Sequence, residues 1–194
     1  MGGADNIFFD LAALKRLGAG AIVGKTVRIR KPERAEIGEH AIIDDFTYIS
    51  CALTLGAYSH IGANAVLIGG EGRITIGRFV NIAPGCRLIC ATNDYSGGGL
   101  VGPTIPPEFA GRAITADVTL ADHVLLGAGT VVLPGVSLPE GAATGALTLV
   151  TAKVKLEPWT LYAGVPARPL RRRESAEILE AARRLAAARG LEPS

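Results

Sequence analysis

Branched aliphatic residues recur every six positions through most of this chain. They fall in three runs: Ile37, Ile43, Ile49, Leu55, Ile61 and Leu67; Ile76, Ile82 and Leu88; and Ile114, Leu120, Leu126, Val132, Leu138, Thr144 and Val150. Thr144 is the one position in these runs that is not aliphatic. A period of six fits neither an amphipathic helix nor an alternating strand. It is typical of a parallel β-helix, in which each hexad supplies a short strand and a corner, and the aliphatic residue stacks on its equivalent in the next coil. The pattern therefore predicts an all-β solenoid.

The two ends of the chain have different patterns. Apolar spacing over residues 6–17 predicts a short helix with Asp5 or Asn6 as its N-cap. Residues 175–188 predict an amphipathic helix that ends near Gly190 and covers the open end of the solenoid.

These patterns divide the chain into three parts. We expect an N-terminal cap segment at residues 1–22, a β-helix domain at 23–170 and a C-terminal α-helix at 171–194.

The repeat is interrupted after Leu88. The stretch ICATNDYSGGG, residues 89–99, begins a Gly- and Pro-rich insertion that we expect to leave the coil as a loop over residues 93–113. Glycines let the backbone leave the coil, and prolines stiffen the loop. The Asn93–Asp94 pair at its start is either a simple turn, which these residue types favour, or a pair of polar groups presented to a ligand.

Composition narrows the classes of function. Hydrophobic residues make up 48% of the 194 residues and aromatic residues only 5%, so the core is aliphatic. A net charge of +2 argues against a nucleic-acid binder, and no apolar run approaches the roughly 20 residues of a membrane span. The start of the chain lacks the order of a signal peptide. Cys51, Cys86 and Cys90 lack metal-ligand spacing, so we expect reduced core thiols, a cytoplasmic location and no metal.

Several stretches of the chain resemble a known family. The hexads, the interrupting loop and the ending LYAGVPARPLRRR resemble the left-handed β-helix (hexapeptide-repeat) acyltransferases. Within them, IIDDFTYIS, YSHIGANAVLIGG, ATNDYSGGGLVGPTIPPEF and LEPWTLYAGVPAR are similar to the branch that acetylates sugars for bacterial surface polysaccharides. The resemblance implies a left-handed coil, although general crossover chirality favours a right-handed one. It also implies acetyl-CoA as the acyl donor and a homotrimer with active sites between subunits.

Acyl transfer from a thioester needs an acceptor held close to the carbonyl and a route for the nucleophile's proton. Related galactoside and maltose acetyltransferases use a histidine base at the start of the loop, and the resemblance places Asn93 there. Asn has no titratable proton near neutral pH, whereas a sugar amine is a nucleophile once neutral. This favours N-acylation, with Asn93 orienting the amine and Asp94 as the nearby titratable group.

The histidines and two acidic residues supply further candidates. His60 precedes an inward position of the repeat, so it faces outward. The resemblance matches it to a position that lines the acceptor pocket, so we take it as the candidate base or substrate ligand. Asp44 and Asp45, one coil below, either bind the sugar or form a solvated corner. His123 is a candidate substrate contact near the thioester, and His40 is expected at a corner.

The resemblance also implies a binding site for the donor. Small residues would let acetyl-CoA approach the backbone along a groove, and arginines would meet its phosphates, because guanidinium pairs well with phosphate. The residues in question are Gly127, Ala128, Gly145, Ala146, Ala163, Gly164, Pro166, Arg168 and Arg171.

The sequence therefore predicts an acetyl-CoA-dependent N-acetyltransferase that acts on a nucleotide-linked amino-deoxy sugar. Two alternatives stay open. A sugar O-acetyltransferase would use a hydroxyl acceptor, and a non-catalytic β-helix would serve as a binding or scaffold protein. The long loop and the AGVPAR ending disfavour the scaffold.

Overall fold

The computed structural model describes residues 6–190 and confirms the predicted solenoid. Three sheets of parallel strands form a triangular prism, and each coil visits them in the order 1, 2, 3. Sheet 1 contains β1 (Arg16–Leu17), β4 (Ala35–Ile37), β7 (Ala52–Leu55), β10 (Arg73–Ile76), β15 (Val118–Leu120) and β18 (Ser137–Leu138). Sheet 2 contains β2 (Ile22–Val23), β5 (Ile42–Ile43), β8 (His60–Ile61), β11 (Asn81–Ile82), β16 (Leu125–Leu126), β19 (Ala143–Thr144), β21 (Thr160–Ala163) and an antiparallel β22 (Arg168–Arg172). Sheet 3 contains β3 (Arg28–Ile29), β6 (Tyr48–Ile49), β9 (Val66–Ile68), β12 (Arg87–Ile89), β17 (Val131–Val132) and β20 (Leu149–Val150).

Three corners join the sheets and are named 1–2, 2–3 and 3–1 after the sheets that they connect. At the 3–1 corner between the fourth and fifth coils, the chain leaves the prism as an arm, residues 91–115. Its root is an antiparallel pair formed by β13 (Ala91–Asn93) and β14 (Ala113–Thr115). Within the described residues, one α-helix, α1 (Ala176–Arg189), and 3-10 turns at Leu11–Ala13, Pro32–Arg34 and Pro107–Phe109 complete the fold.

The hexad residues stack inside the prism and form its core. Ile43, Ile61 and Leu88, for example, are fully buried. Ile114 is the exception, because it is 41% exposed and lies on the arm. Its segment pairs with β13 instead of a strand of the prism, so the coil resumes only at Val118. The sequence prediction was wrong at this one position of the repeat, since the six-residue spacing alone does not distinguish a strand of the arm from a strand of the coil.

The 1–2 corner carries a column of stacked rings, called here the aromatic column: His40, Tyr58, Phe79, His123 and Trp159. All five residues have positive φ values between 51° and 63°, which L-residues adopt at a cost. Neighbouring ring centroids lie 4.9, 5.9, 5.1 and 5.7 Å apart, so ring stacking offsets part of that cost. His40 is a corner residue, as predicted.

The N-terminal segment differs from its prediction. Only a 3-10 turn forms, and Asp10 caps it by accepting a hydrogen bond from the Ala12 amide at 2.9 Å. Asn6 instead donates from its amide to the carbonyls of Gly24 and Val27, which ties the segment to the first coil. Asp5 lies outside the described residues. The first coil begins at β1, earlier than the boundary expected at residue 23.

The C-terminal segment contains the predicted helix, but the helix starts later and packs elsewhere than expected. Strand β22 pairs with β21, so residues 168–172 are strand, and the helix starts at Ala176. It ends at Gly190, which has φ 65° and donates its amide to Ala186. The helix lies beside sheet 2, with a cleft of about 340 Å³ between it and Leu125. It does not cover the open end as expected, because β22 turns the chain back along the prism.

Among residues 6–190, no helix combines the length and apolar character needed to cross a membrane. Cys51, Cys86 and Cys90 are free and buried, which confirms their prediction as core residues.

Candidate active site

The arm carries Asn93 at its root. Asn93 is the last residue of β13, where it pairs with Ala113, and the next amide, Asp94, donates to the Arg112 carbonyl at 2.8 Å. A cleft of about 450 Å³ lies between the root of the arm, the Gly69–Glu71 turn and Pro103. Asn93 lines this cleft, so its amide is available to a ligand there.

Asp94 has the contacts of a turn residue. Its Oδ1 accepts hydrogen bonds from the Ser96 amide at 2.9 Å and the Ser96 hydroxyl at 2.5 Å. These bonds to the ionised form hold the pKa of the Asp94 carboxyl below its usual range. A carboxylate with a lowered pKa is a weak proton acceptor, so this geometry favours the turn alternative over the predicted catalytic role.

His60 lies on the outer face of sheet 2 with polar partners on both sides. Its Nε2 is 2.8 Å from Asp44 Oδ2, and its Nδ1 is 2.9 Å from Asn81 Oδ1. The His60 and Asp44 side chains are 38% and 40% exposed, so an acceptor can reach them. In the part of the chain that the structure describes, no three His, Cys, Asp or Glu side chains group as a metal site.

Asn81 was missed by the sequence analysis. It pairs with His60 in the β8–β11 register. The available signal was its position, because Asn81 precedes the inward Ile82 as His60 precedes the inward Ile61.

Asp45 is engaged within the fold. Its Oδ1 accepts from the Thr26 amide at 2.8 Å and the Thr26 hydroxyl at 2.7 Å, which joins the first two coils. These hydrogen bonds lower the pKa of the Asp45 carboxyl. Its predicted role as a sugar ligand gains no support from these contacts, whereas Asp44 directly contacts His60.

His123 is buried in the aromatic column and is only 3% exposed. Its ring stacks on Phe79, and its Nε2 has no hydrogen-bond partner among residues 6–190. Burial, the largest cause, lowers the pKa of the imidazole, because the charged form loses hydration. His123 also lines the cleft between the helix and Leu125, and its predicted contact with the substrate stays a prediction. The left-handed φ of 63° turned the side chain into the column, which the sequence pattern did not reveal.

We expect His123→Phe to make thermal stability less sensitive to acid. In the folded protein the pKa of His123 lies below the usual value of about 6.5, so the unfolded state binds the proton first as the pH falls. The stability that is present above about pH 6.5 is therefore lost progressively below it. Phenylalanine can keep the stack, as Phe79 does at φ 58°. Melting temperatures between about pH 5 and 8 check this, with Tyr58→Phe as the control in the same column. An equal fall in melting temperature on acidification in wild type and His123→Phe would contradict this expectation.

The residues expected to bind the donor form one continuous edge. The Gly127 amide donates to the Thr144 carbonyl, and the Leu149 amide donates to the Gly164 carbonyl, so successive coils stack along the 2–3 corner. A methyl group at Gly127 would lie 2.6 Å from the Ala146 amide nitrogen, so glycine is needed for the stacking itself. Ala128 and Ala146 are exposed on this edge, and Gly145 and Ala163 lie behind them.

The arginine run divides into two groups. Arg168 and Arg171 are exposed on β22, whereas Arg173 donates to the carbonyls of His123 and Gly141 and is structural. A cleft of about 430 Å³ contains Arg168, Pro166, Lys153 and Lys155. The two lysines were missed by the sequence analysis, although the KVK spacing places both near the AGVPAR ending.

Two candidate groups lie on opposite sides of the prism. His60 is on sheet 2, and Asn93 is at the 3–1 corner. In a triangular prism a sheet faces away from the corner that joins the other two. One chain therefore cannot direct both side chains at the same acceptor.

Comparison with known proteins decides the family. No family model matches the chain. A dTDP-4-amino-4,6-dideoxy-D-glucose acyltransferase from Escherichia coli is 33% identical over 182 residues, covering 89% of this chain and 92% of the relative. The chain belongs to the hexapeptide-repeat acyltransferases. It is therefore an acyltransferase, and the scaffold alternative is set aside.

Solved structures of AntD, an N-acyltransferase from Bacillus cereus, share the fold. The complex of AntD with dTDP and 3-hydroxybutyryl-CoA is 34% identical, has a TM-score of 0.86 and covers 96% of this chain and 100% of AntD. A substituted form of AntD in complex with dTDP-4-amino-4,6-dideoxyglucose and coenzyme A has a TM-score of 0.85, with 34% identity and coverage of 95% and 100%.

Proposed function

We propose that this acyltransferase moves an acetyl group from acetyl-CoA to the amino group of a nucleotide-linked amino-deoxy sugar. The observation that carries the proposal is the likeness, over nearly the whole chain, to an N-acyltransferase whose solved complexes hold a dTDP-linked 4-amino sugar and coenzyme A. The non-titratable Asn93 at the root of the arm agrees with an amine acceptor, which needs orientation more than activation.

The reaction requires one proton transfer. The neutral amine attacks the thioester carbonyl carbon, so a C–N bond forms and the C–S bond breaks. The nitrogen then gives up one proton, which ends on the leaving CoA sulfur, with His60 as the proposed relay. The Asn93 amide oxygen accepts a hydrogen bond from the amine and holds its lone pair toward the carbonyl.

The site is assembled from two subunits of a homotrimer in this proposal. Sheet 2 of one subunit supplies His60 and Asp44, and the arm of its neighbour supplies Asn93, because one chain directs them apart. The arm also exposes large apolar side chains, including Tyr95 at 81%, Leu100 at 60% and Phe109 at 61%, which a neighbouring subunit would cover. Light scattering should give three times the 20.0 kDa chain mass, and a fully active monomer would contradict the assembly.

The donor lies along the 2–3 corner in this proposal, with its phosphates toward β22. Adjacent coils are about 4.8 Å apart, so the edge from Gly127 to Gly164 gives an extended CoA arm a continuous track. Ala128 and Ala146 leave room beside it. Arg168 and Arg171, together with Lys153 and Lys155, provide positive charge at its end.

We expect Arg171→Ala to raise KM for acetyl-CoA more than tenfold and to leave kcat nearly unchanged. A hydrogen bond to a charged group contributes about 1.5–3 kcal/mol, and a distant phosphate contact acts equally on ground and transition states. Initial rates at varied acetyl-CoA measure this. Arg184→Ala, on α1, is the charge-matched control. An unchanged KM in Arg171→Ala and in an Arg168→Ala, Arg171→Ala double variant would remove both residues from the site.

One acceptor comparison tests the function itself. The same nucleotide-linked sugar is supplied with either an amine or a hydroxyl at the reacting carbon, and CoA release is followed with acetyl-CoA as donor. We expect the amine to react faster, and its rate to rise with pH as more of it becomes neutral. Faster acetylation of the hydroxyl form would replace this proposal with the O-acetyltransferase alternative.

The proposed cellular role is surface polysaccharide biosynthesis in the cytoplasm. Three free thiols suit a reducing compartment. Fractionation that places the acyltransferase activity outside the cytoplasm would contradict the location.

A further inference from the structure

Phe46 is a large apolar residue in a backbone conformation that disfavours it. It lies at the 2–3 corner of the second coil, where it is 67% exposed and has a φ of 62°. Residues with a Cβ adopt this left-handed conformation at a cost. The rings of the aromatic column offset part of that cost by stacking, whereas Phe46 stacks on no ring among residues 6–190. Packing within the described chain therefore does not explain an aromatic residue at this corner.

Hydrogen bonds hold the backbone that carries the Phe46 ring. The Phe46 amide donates to the Thr26 hydroxyl at 3.0 Å, and that hydroxyl donates to Asp45 Oδ1 at 2.7 Å. The Asp45 carbonyl accepts from the Asn64 amide at 3.2 Å. These bonds join the corner to the coils on both sides, so the exposed ring is presented to solvent from a fixed support.

Two polar side chains flank Phe46 along the same corner, and both are exposed. Lys25, on the first coil, lies opposite Asp45 when the β2–β5 register is continued into the corner. Asn64, on the third coil, lies opposite Phe46 when the β5–β8 register is continued in the same way. An ammonium group binds phosphate, an aromatic face stacks on a base, and an amide offers a donor and an acceptor to the edge of a base. Together the three side chains have the chemistry of a nucleotide site.

This surface lies between the candidate acceptor residues and the proposed donor edge. Asp44, whose Oδ2 is 2.8 Å from His60 Nε2, precedes Phe46 by two residues. On the fourth and fifth coils the positions equivalent to Phe46 are Gly85 and Gly129. Because these glycines have no side chains, the corner stays open from Phe46 toward the donor edge.

We propose that Lys25, Phe46 and Asn64 form the subsite for the nucleoside diphosphate of the acceptor, with the base stacked on the Phe46 ring. The inference rests on the proposed function for the identity of the acceptor, whose amino sugar then extends toward Asp44 and His60. Acetyl-CoA also carries a base and phosphates. Its proposed position, with the phosphates toward β22 at the other end of the prism, leaves the Phe46 end of the corner to the acceptor.

The first measurement needs no reaction. Thymidine diphosphate, uridine diphosphate and coenzyme A are each titrated into the protein in a calorimeter. We expect Phe46→Ala to raise the Kd of the nucleoside diphosphates roughly fivefold to a hundredfold, the usual loss of one base stack, and Phe46→Trp to keep it near the wild-type value. The Kd of coenzyme A should not change. Leu147→Ala is the matched control, because Leu147 has the equivalent position on the sixth coil, is 74% exposed and has a φ of 57°.

Three outcomes of this titration would overturn the proposal. Wild type could bind neither nucleoside diphosphate, or Phe46→Ala could bind them as wild type does. Weaker binding of coenzyme A by Phe46→Ala, with nucleoside diphosphate binding unchanged, would place the adenine of the donor on Phe46 instead.

Stability and mass separate this role from a structural one. We expect Phe46→Gly to melt at or above the wild-type temperature, because glycine adopts a positive φ freely, and to bind nucleoside diphosphates as weakly as Phe46→Ala. Light scattering should give the same mass for wild type and Phe46→Ala. A melting temperature of Phe46→Gly several degrees below wild type, or a smaller mass for Phe46→Ala, would show that the ring packs within the protein or against another subunit, and would overturn the proposal.

The second measurement compares two acceptors, the nucleotide-linked amino sugar and the same amino sugar with a single phosphate in place of the nucleotide. We expect kcat/KM of wild type to favour the nucleotide-linked form, and Phe46→Ala to lose that preference with KM for acetyl-CoA unchanged. The same preference in both proteins would overturn the subsite. Binding of nucleoside diphosphate that depends on Phe46, in a protein that acetylates neither amine, would support the subsite and reject the proposed function, so the two failures are distinguishable.

Discussion

His60→Gln is expected to lower kcat/KM for the amino-sugar acceptor by about 10²–10⁴-fold, the usual cost of losing a general base. Glutamine retains polarity and length but cannot take a proton. The effect should fall on kcat more than on KM for acetyl-CoA, because the proposed donor edge is at the 2–3 corner, away from His60. Steady-state rates of CoA release, measured from about pH 6 to 9, check both expectations.

The control for this change is His40→Asn. His40 is a corner residue with φ 53°, a conformation that asparagine tolerates, and it lies outside the proposed site. The activity of the His40→Asn variant should match that of wild type. If His60→Gln keeps activity within a few-fold of wild type, His60 is not the base, and the amine loses its proton directly to solvent.

Gly56→Ala is expected to reduce the free energy of unfolding by about 3 kcal/mol, at the upper end of overpacking costs. A methyl group there would overlap the Gly77 carbonyl and lie 2.7 Å from the Arg78 amide nitrogen, and all of these atoms are backbone. The coils cannot separate without stretching the ladder, in which Gly56 donates to Ile76 at 2.8 Å. Thermal unfolding at fixed protein concentration should show a melting temperature lower by about 6–12 °C.

Gly111→Ala provides the comparison for this substitution. The nearest atoms to a methyl group at Gly111 lie 3.4 Å away, which is ordinary contact, and the residue lies on the arm. Its melting temperature should stay close to wild type. If Gly56→Ala and Gly111→Ala have the same melting temperature, the coils at the 1–2 corner can move apart at little cost, and close stacking does not require glycine there.

Much of the solenoid could be predicted from the six-residue spacing of aliphatic residues, because its core is repetitive. An inward residue every six positions is a local property of the chain, and each coil buries the apolar face of the next. The interruption before Asn93 was equally visible, since glycines and prolines mark where the backbone leaves a repeat. Ile114 shows the limit of this signal, because its spacing fits a coil while its pairing belongs to the arm.

The candidate site was predicted less completely than the fold. His60 faces outward as its position before Ile61 required, but its bonds to Asp44 and Asn81 join residues from three coils. His123 was expected near the substrate, yet stacking in the aromatic column buries it. Asp94 and Asp45 share a residue type with Asp44, and only their contacts with Ser96 and Thr26 set them apart.

The sequence by itself determined the repeat, the place of the arm, the C-terminal helix and the outward face of His60. Each of these depends on residues close in the chain, where periodicity and backbone preferences act. Only the tertiary structure decided which polar groups meet and which face of the prism each one occupies. It put Asn93 at the corner opposite sheet 2, because the stacking of coils, not the order of residues, sets the direction of a side chain in space.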